Sequence, residues 1–245
     1  MDTVKLQKYF TDCGILSRRA AEKEIADGNV KVNGESAYLG QRIDPDADVV
    51  EYKGKILRPV SNDKICVMLN KPRGFVTTLS DEKGRPTVSA LVSDAGRRLY
   101  PIGRLDMDSD GLLLLTDDGE LANKLTHPRH EIPKIYRVTV KGEVNEDTLA
   151  LLRSPLEIDG YKILPVETSL IWQAKDKKES ILEMKLYEGR NRQIRKMCAL
   201  AELTVKRLSR IAIGKLTLGD LPEGKWRILT SNELDYLKNE NNTKV

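Results

Sequence analysis

Residues 104–120 read RLDMDSDGLLLLTDDGE, an acidic run followed at once by four leucines, Leu112, Leu113, Leu114 and Leu115. An unbroken apolar run of this length suits a strand buried on both faces, and YPIG just ahead of it cannot make a good helix. The acidic half carries a second signal. Asp106, Asp108, Asp110 and Gly111 keep the spacing of a calcium loop, which needs oxygen ligands at its first, third, fifth, seventh, ninth and twelfth positions and glycine at its sixth. The later half fails that pattern, because Leu114 holds the ninth position and Asp117 replaces the closing glutamate. The stretch is read as a loop feeding a buried strand, and no metal site is expected.

Working outward, strand patterns occur at residues 65–69, 111–116, 135–141, 180–187 and 204–213. Helical patterns occur at 119–126, 146–152, 191–201 and 232–238. Short strands interleaved with short helices predict an α+β domain with a long, mostly antiparallel mixed sheet flanked by helices. RPVSND, residues 58–63, reads as a linker, so the chain is expected to divide into 1–60 and 61–240. The first part predicts two helices and a small sheet. Leu6, Phe10 and Cys13 recur at helical spacing and Gly14 closes the pattern; Ser17 is placed to cap RRAAEKEIAD, which Gly28 stops. VKVNGE then alternates, with Asn33-Gly34 where a tight hairpin turns.

A chain of 245 residues with 40% hydrophobic content can bury a real core. No apolar run approaches the roughly 18 residues that span a bilayer, and the start MDTVKLQKYF lacks the layout of a secretory signal. A soluble, cytoplasmic protein is expected. Cys13, Cys66 and Cys198 stand far apart without a C-x-x-C pair and are read as reduced core thiols. Net charge is only +4, yet residues 186–215 carry +6, which leaves −2 for the rest. Local excess of this kind is what a polyanion-binding face needs, since phosphate contacts supply most nucleic-acid affinity.

Two resemblances follow. SRRAAEKEIADGNVKVNGE, in the first quarter of the chain, resembles the alpha-L RNA-binding domain of a small-subunit ribosomal protein and of several RNA-modifying enzymes. That likeness implies that Arg18, Arg19, Lys23 and Lys31 meet structured RNA. Two cations at a helix start also oppose the macrodipole, a misfit that favours such a role. GRLDMDSDGLLLLTDDGEL resembles the signature of the pseudouridine synthases that act on ribosomal RNA. Supporting stretches come in the same order: LNKPRGFVTT from Leu69, GRPTV from Gly84, PKIYRVTVKG from Pro133 and EGRNRQIRKM from Glu188. Members of that family often have Thr-Ser-Gly where this chain has Ser109-Asp110-Gly111, which adds a carboxylate.

The second resemblance implies isomerisation of uridine within RNA, without cofactor or metal. It implies that Asp106 is the essential carboxylate, that Arg195 pairs with it, and that Tyr136 stacks on the target base. Arg104 would fill the space that the extruded base leaves, a step that costs a few kcal/mol of unstacking. Lys71, with Arg73, would support the site from a loop facing RNA, and Arg190 would add a phosphate contact. NKPRGFVTTLSDEKGRPTV and LTHPRHEIPKIYRVTV look closest to the branch that modifies large-subunit ribosomal RNA. The small-subunit branch and a non-catalytic ribosome-assembly factor are the alternatives. The expected partner is ribosomal RNA or a pre-ribosomal particle, with no membrane, no obligate protein partner and a monomeric enzyme. His127 and His130 flank Pro128, which breaks any helix that would align them, and are read as structural or RNA-facing.

Overall fold

In the computed structural model, which describes residues 3–59, 64–126 and 132–239, the chain forms two units, Met1–Lys64 and Ile65–Val245. The first holds β1 (Val4–Lys5), α1 (Leu6–Asp12), α2 (Arg18–Ala26), β2 (Val30–Val32), β3 (Glu35–Ser36), β4 (Arg42–Ile43), β5 (Val50–Tyr52) and β6 (Lys55–Ile56). Ser17 caps α2 by accepting a hydrogen bond from Ala20 N at 3.2 Å. The chain turns from β2 into β3 at Asn33 and Gly34, both with positive φ (55° and 85°), as a two-residue hairpin requires. Strands β3, β2, β5 and β6 form one antiparallel sheet, and β1 pairs with β4. Leu6, Phe10, Ile25, Val30 and Val50 form the core of this unit.

The second unit holds β7 (Cys66–Lys71), α3 (Val88–Leu91), β8 (Tyr100–Ile102), β9 (Asp110–Thr116), α4 (Gly119–Thr126), β10 (Lys134–Lys141), α5 (Glu146–Arg153), β11 (Glu157–Ile158), β12 (Tyr161–Lys162), β13 (Glu167–Gln173), β14 (Glu179–Leu186), α6 (Gln193–Leu200), β15 (Thr204–Ile213), β16 (Leu216–Thr217), β17 (Trp226–Ile228) and α7 (Ser231–Asn239). Among the described residues, nine strands make one sheet in the order β13-β14-β10-β15-β9-β7-β17, with β16 on β15 and β8 on β9. All its ladders are antiparallel except that between β9 and β15, where Ser209 faces Asp110 and Arg210 faces Gly111. The long, mostly antiparallel sheet flanked by helices is the architecture the alternating patterns predict.

The four leucines of β9 are wholly buried. Leu112 and Leu114 pack with Leu121 and Leu125 of α4 and Leu237 of α7, while Leu113 and Leu115 pack with Val88, Leu99 and Leu105 on the other face. Burying a leucine side chain is worth roughly 1.5–3 kcal/mol, so this strand anchors what is attached to its ends. Across the sheet, Leu152 of α5 and Met197 of α6 cover Val138 and Leu182. Strands β13 and β17, which close the two edges, are absent from the sequence-based expectation. The three cysteines are free and buried, and burial pushes the Cys66 and Cys198 thiols up to about 12. Among the described residues, no helix is long and apolar enough to cross a membrane.

Candidate active site

Between β8 and β9 the chain makes a turn, residues 103–109, closed by a hydrogen bond from Ser109 N to Asp106 O at 3.1 Å. Its main chain is held from three directions. Lys71 lies opposite Gly111 in the β7–β9 ladder, and its Nζ donates to Asp106 O at 3.0 Å, Ser109 O at 2.8 Å and Pro72 O at 3.0 Å. Thr77 Oγ1 donates to Leu105 O at 2.6 Å, and Gly74 N donates to Met107 O at 2.7 Å. Lys71 is fully buried, which corrects the expectation that it meets RNA from a loop. The ladder turns its side chain beneath the acidic turn, where three carbonyl oxygens take its three donors. Desolvation pulls its pKa down to about 8, against the opposing pull of Asp110, Asp106 and Asp108.

The cation at Asp106 is Arg192, whose Nη1 lies 3.7 Å from Oδ2. The resemblance implies Arg195 in that place, and the structure differs. Arg195 Nη2 instead donates to Asp108 O at 3.0 Å and lies 3.2 Å from Asp108 Oδ2. The cause is the backbone at Arg192, which caps α6 in the left-handed conformation with φ 52°. From there its guanidinium reaches both carboxylates, with Nη1 and Nη2 donating to Asp108 at 3.2 and 3.1 Å. Burial pushes the Asp108 carboxyl up, but the Arg192 hydrogen bond and the Arg195 and Arg192 charges outweigh it and hold the group below its ordinary value.

Asp110, without a role in the sequence, is buried where β9 meets β15. It accepts from Arg207 Nε at 3.0 Å and from the Ser209 hydroxyl. Its neighbour Gly111 has φ 103°, and a Cβ there would sit 2.3 Å from Arg210 O. The glycine is therefore required by both backbone conformation and close strand approach. Asp106 and Asp108 thus share Arg192, Asp108 faces Arg195 as well, and Asp110 faces Arg207. Among the described residues, no group of His, Cys, Asp or Glu is gathered to hold a metal.

A cavity of about 330 Å³ opens beside Asp106, lined by Arg104, Asp106, Tyr136, Arg190 and Arg192 over Leu186, Ile194 and Leu208. Tyr136 projects from β10, and α6 supplies the opposite wall. Four expected site residues, Arg104, Asp106, Tyr136 and Arg190, therefore meet at one cavity. Arg190 lies over the Tyr161 ring, 3.0 Å from its centroid, and 3.4 Å from Glu188. Arg18, Arg19 and Lys31 are exposed on the first unit. His127 and His130 lie outside the described residues. Arg192 and Thr77 were given no site role by the sequence, and Asp108 and Asp110, noted there for their spacing, were given none either. The three arginines of EGRNRQIRK were visible there, but not which of them reaches which aspartate. The cavity offers a half-buried carboxylate, an adjoining guanidinium and an aromatic ring over an apolar floor, a setting able to hold a nucleobase and its ribose against a charged oxygen.

Comparisons with known proteins agree with that geometry. The RNA pseudouridylate synthase family matches residues 65–200. Over 96% of the chain it is 39% identical to the ribosomal large subunit pseudouridine synthase B of Bacillus subtilis, 95% of which is covered. It is 38% identical to the dual-specificity RNA pseudouridine synthase RluF of Escherichia coli, over 95% of this chain and 77% of that one. A crystal structure of a pseudouridylate synthase, 31% identical, superposes with a TM-score of 0.66 over 96% of this chain and 99% of the other. The chain belongs to the RNA pseudouridine synthase family.

Proposed function

We propose that the protein isomerises one or more uridines of large-subunit ribosomal RNA to pseudouridine, with Asp106 as the essential carboxylate. In this reaction the bond from C1′ of the ribose to N1 of uracil is cut, the base turns, and a bond from C1′ to C5 replaces it. Nothing is oxidised, and the C5 proton leaves as the N1 proton is gained. Asp106 acts as nucleophile at C1′ or as base in an elimination route; both need it ionised, and the Arg192 guanidinium lies beside it. Tyr136 packs against the base and Arg104 takes the space it vacates in the RNA. Arg195 orders the turn through Asp108. The observation that carries this reading is the convergence of Asp106, Tyr136 and Arg104 on one cavity beside a guanidinium.

The large-subunit assignment is supported by the Bacillus subtilis relative and by the NKPRG and IYRV stretches. The first unit, in this reading, is an alpha-L RNA-docking module that presents Arg18, Arg19 and Lys31, and α2 has no acidic residue in its first turn to neutralise those cations. The enzyme works as a cytoplasmic monomer on ribosomal RNA or a pre-ribosomal particle. The test is to map pseudouridines in ribosomal RNA from cells with and without the gene. A large-subunit site should vanish on deletion, return with the wild type and fail to return with Asp106→Asn. An unchanged map would sink the ribosomal assignment, and restoration by Asp106→Asn would remove Asp106 as the essential group.

A further inference from the structure

A second cavity, about 190 Å³, adjoins the first and shares Arg104, Tyr136 and Gly189 with it. Its walls are apolar, with Ile102, Leu114, Leu125 and Ile213, and its charged lining is entirely cationic: Arg104, Lys134 and Arg210. No carboxylate lines it among the described residues. The sheet assembles this group. Tyr136 of β10 lies opposite Arg210 of β15, and Lys134 stands two residues earlier on the same face of β10.

Arg210 is 4% exposed. Its Nε donates to Leu112 O at 2.7 Å, while Nη2 is buried without a partner. Lys134 is half-buried beside it, and both desolvation and the Arg210 charge disfavour its ammonium form. Crowding two cations over an apolar floor costs energy unless an opposite charge completes the site. Elsewhere in this unit the counter-charge is present: Arg207 has Asp110, and Arg227 has Glu233 in a two-pronged pair. At Lys134 and Arg210 it is missing among the described residues. A guanidinium fork with one free nitrogen, next to an ammonium point charge, matches the oxygens of a phosphate.

We infer that this cavity is a phosphate subsite, where Lys134 and Arg210 hold one phosphodiester group of the substrate strand beside the nucleotide in the adjoining cavity. The identity of the anion as RNA backbone rests on the isomerase reading; inorganic phosphate shares its chemistry and serves as a probe free of it. Seating one linkage here fixes where the ribose falls relative to Asp106, through the shared Arg104 and Tyr136.

Two measurements on the full chain test it. Inorganic phosphate, titrated at constant ionic strength, should raise the melting midpoint of the wild type clearly more than that of Lys134→Met. On ribosomal RNA, Lys134→Met should raise KM about tenfold, with the loss in KM rather than kcat, and should flatten the dependence of log KM on log salt by about 0.7–0.9, one phosphate contact. Lys134→Arg, which keeps the charge, should restore the salt dependence, and Arg210→Gln should repeat the phosphate result should Lys134→Met fail to fold. Equal phosphate response and equal salt dependence in wild type and Lys134→Met would overturn the subsite and leave the isomerase intact. A wild type that modifies no ribosomal RNA would instead defeat the isomerase reading, and the phosphate titration would then decide the subsite alone.

Discussion

A buried ammonium group, that of Lys71, holds two carbonyls of the turn that carries Asp106. Because the Lys71 pKa is drawn down to about 8, its charge and one of its three donors are lost as pH rises through that value, and its hold on the carbonyls of Pro72, Asp106 and Ser109 weakens. The rate should therefore fall with an alkaline limb near pH 8 in the kcat profile; a profile flat from pH 7 to 10 would reject the clamp. Asp108 gives the opposite sign. Its folded-state pKa is depressed, so its contribution to stability is present above about 4, the unfolded value, and is lost as pH falls through the folded value. The destabilisation caused by Asp108→Asn, measured by urea unfolding, should shrink as pH is lowered below about 4. Asp106, Tyr136 and Arg104 were legible in the sequence because each sits in a motif. Arg192 was not, since its reach depends on a left-handed backbone at a helix cap, and Asp110 was not, since its partners lie on a strand nearly a hundred residues away.

Among the elements, β9 is buried along its whole length. Leu113→Ala should cost roughly 3 kcal/mol in chemical denaturation, the usual range for emptying a core leucine site. Gly111→Ala should cost roughly 2 kcal/mol or more, because both the positive φ and the approach to Arg210 O resist a methyl group. A variant unfolding like wild type would show that the two strands separate easily. The four leucines were readable as a strand because nothing but burial on both faces explains them. Strand β13 was not readable: its ladder slips between Leu170 and Trp172, so alternation breaks, and as an edge strand it leaves Ile171 and Trp172 exposed. Strand β17 was too short, at three residues, to leave a pattern.

For the whole molecule, the chain divides into two units, and in the proposed reading the first docks RNA while the second carries the chemistry. Deleting residues 1–64 should leave the melting transition of the remainder cooperative while weakening RNA binding about tenfold or more, as expected when several phosphate contacts are lost. Aggregation of the remainder would show that the first unit completes the fold of the second. The first unit was legible because glycine stops and an Asn-Gly hairpin lie close together in sequence; the order of the long sheet was not, because its pairings join strands far apart. The grip on residues 105–109 acts chiefly through main-chain oxygens, from Lys71, Thr77, Gly74 and Arg195. Anchoring by backbone frees the side chains along the turn to diverge while the geometry persists. Met107, exposed and held through its carbonyl oxygen, can therefore be exchanged without disturbing the turn beside Asp106.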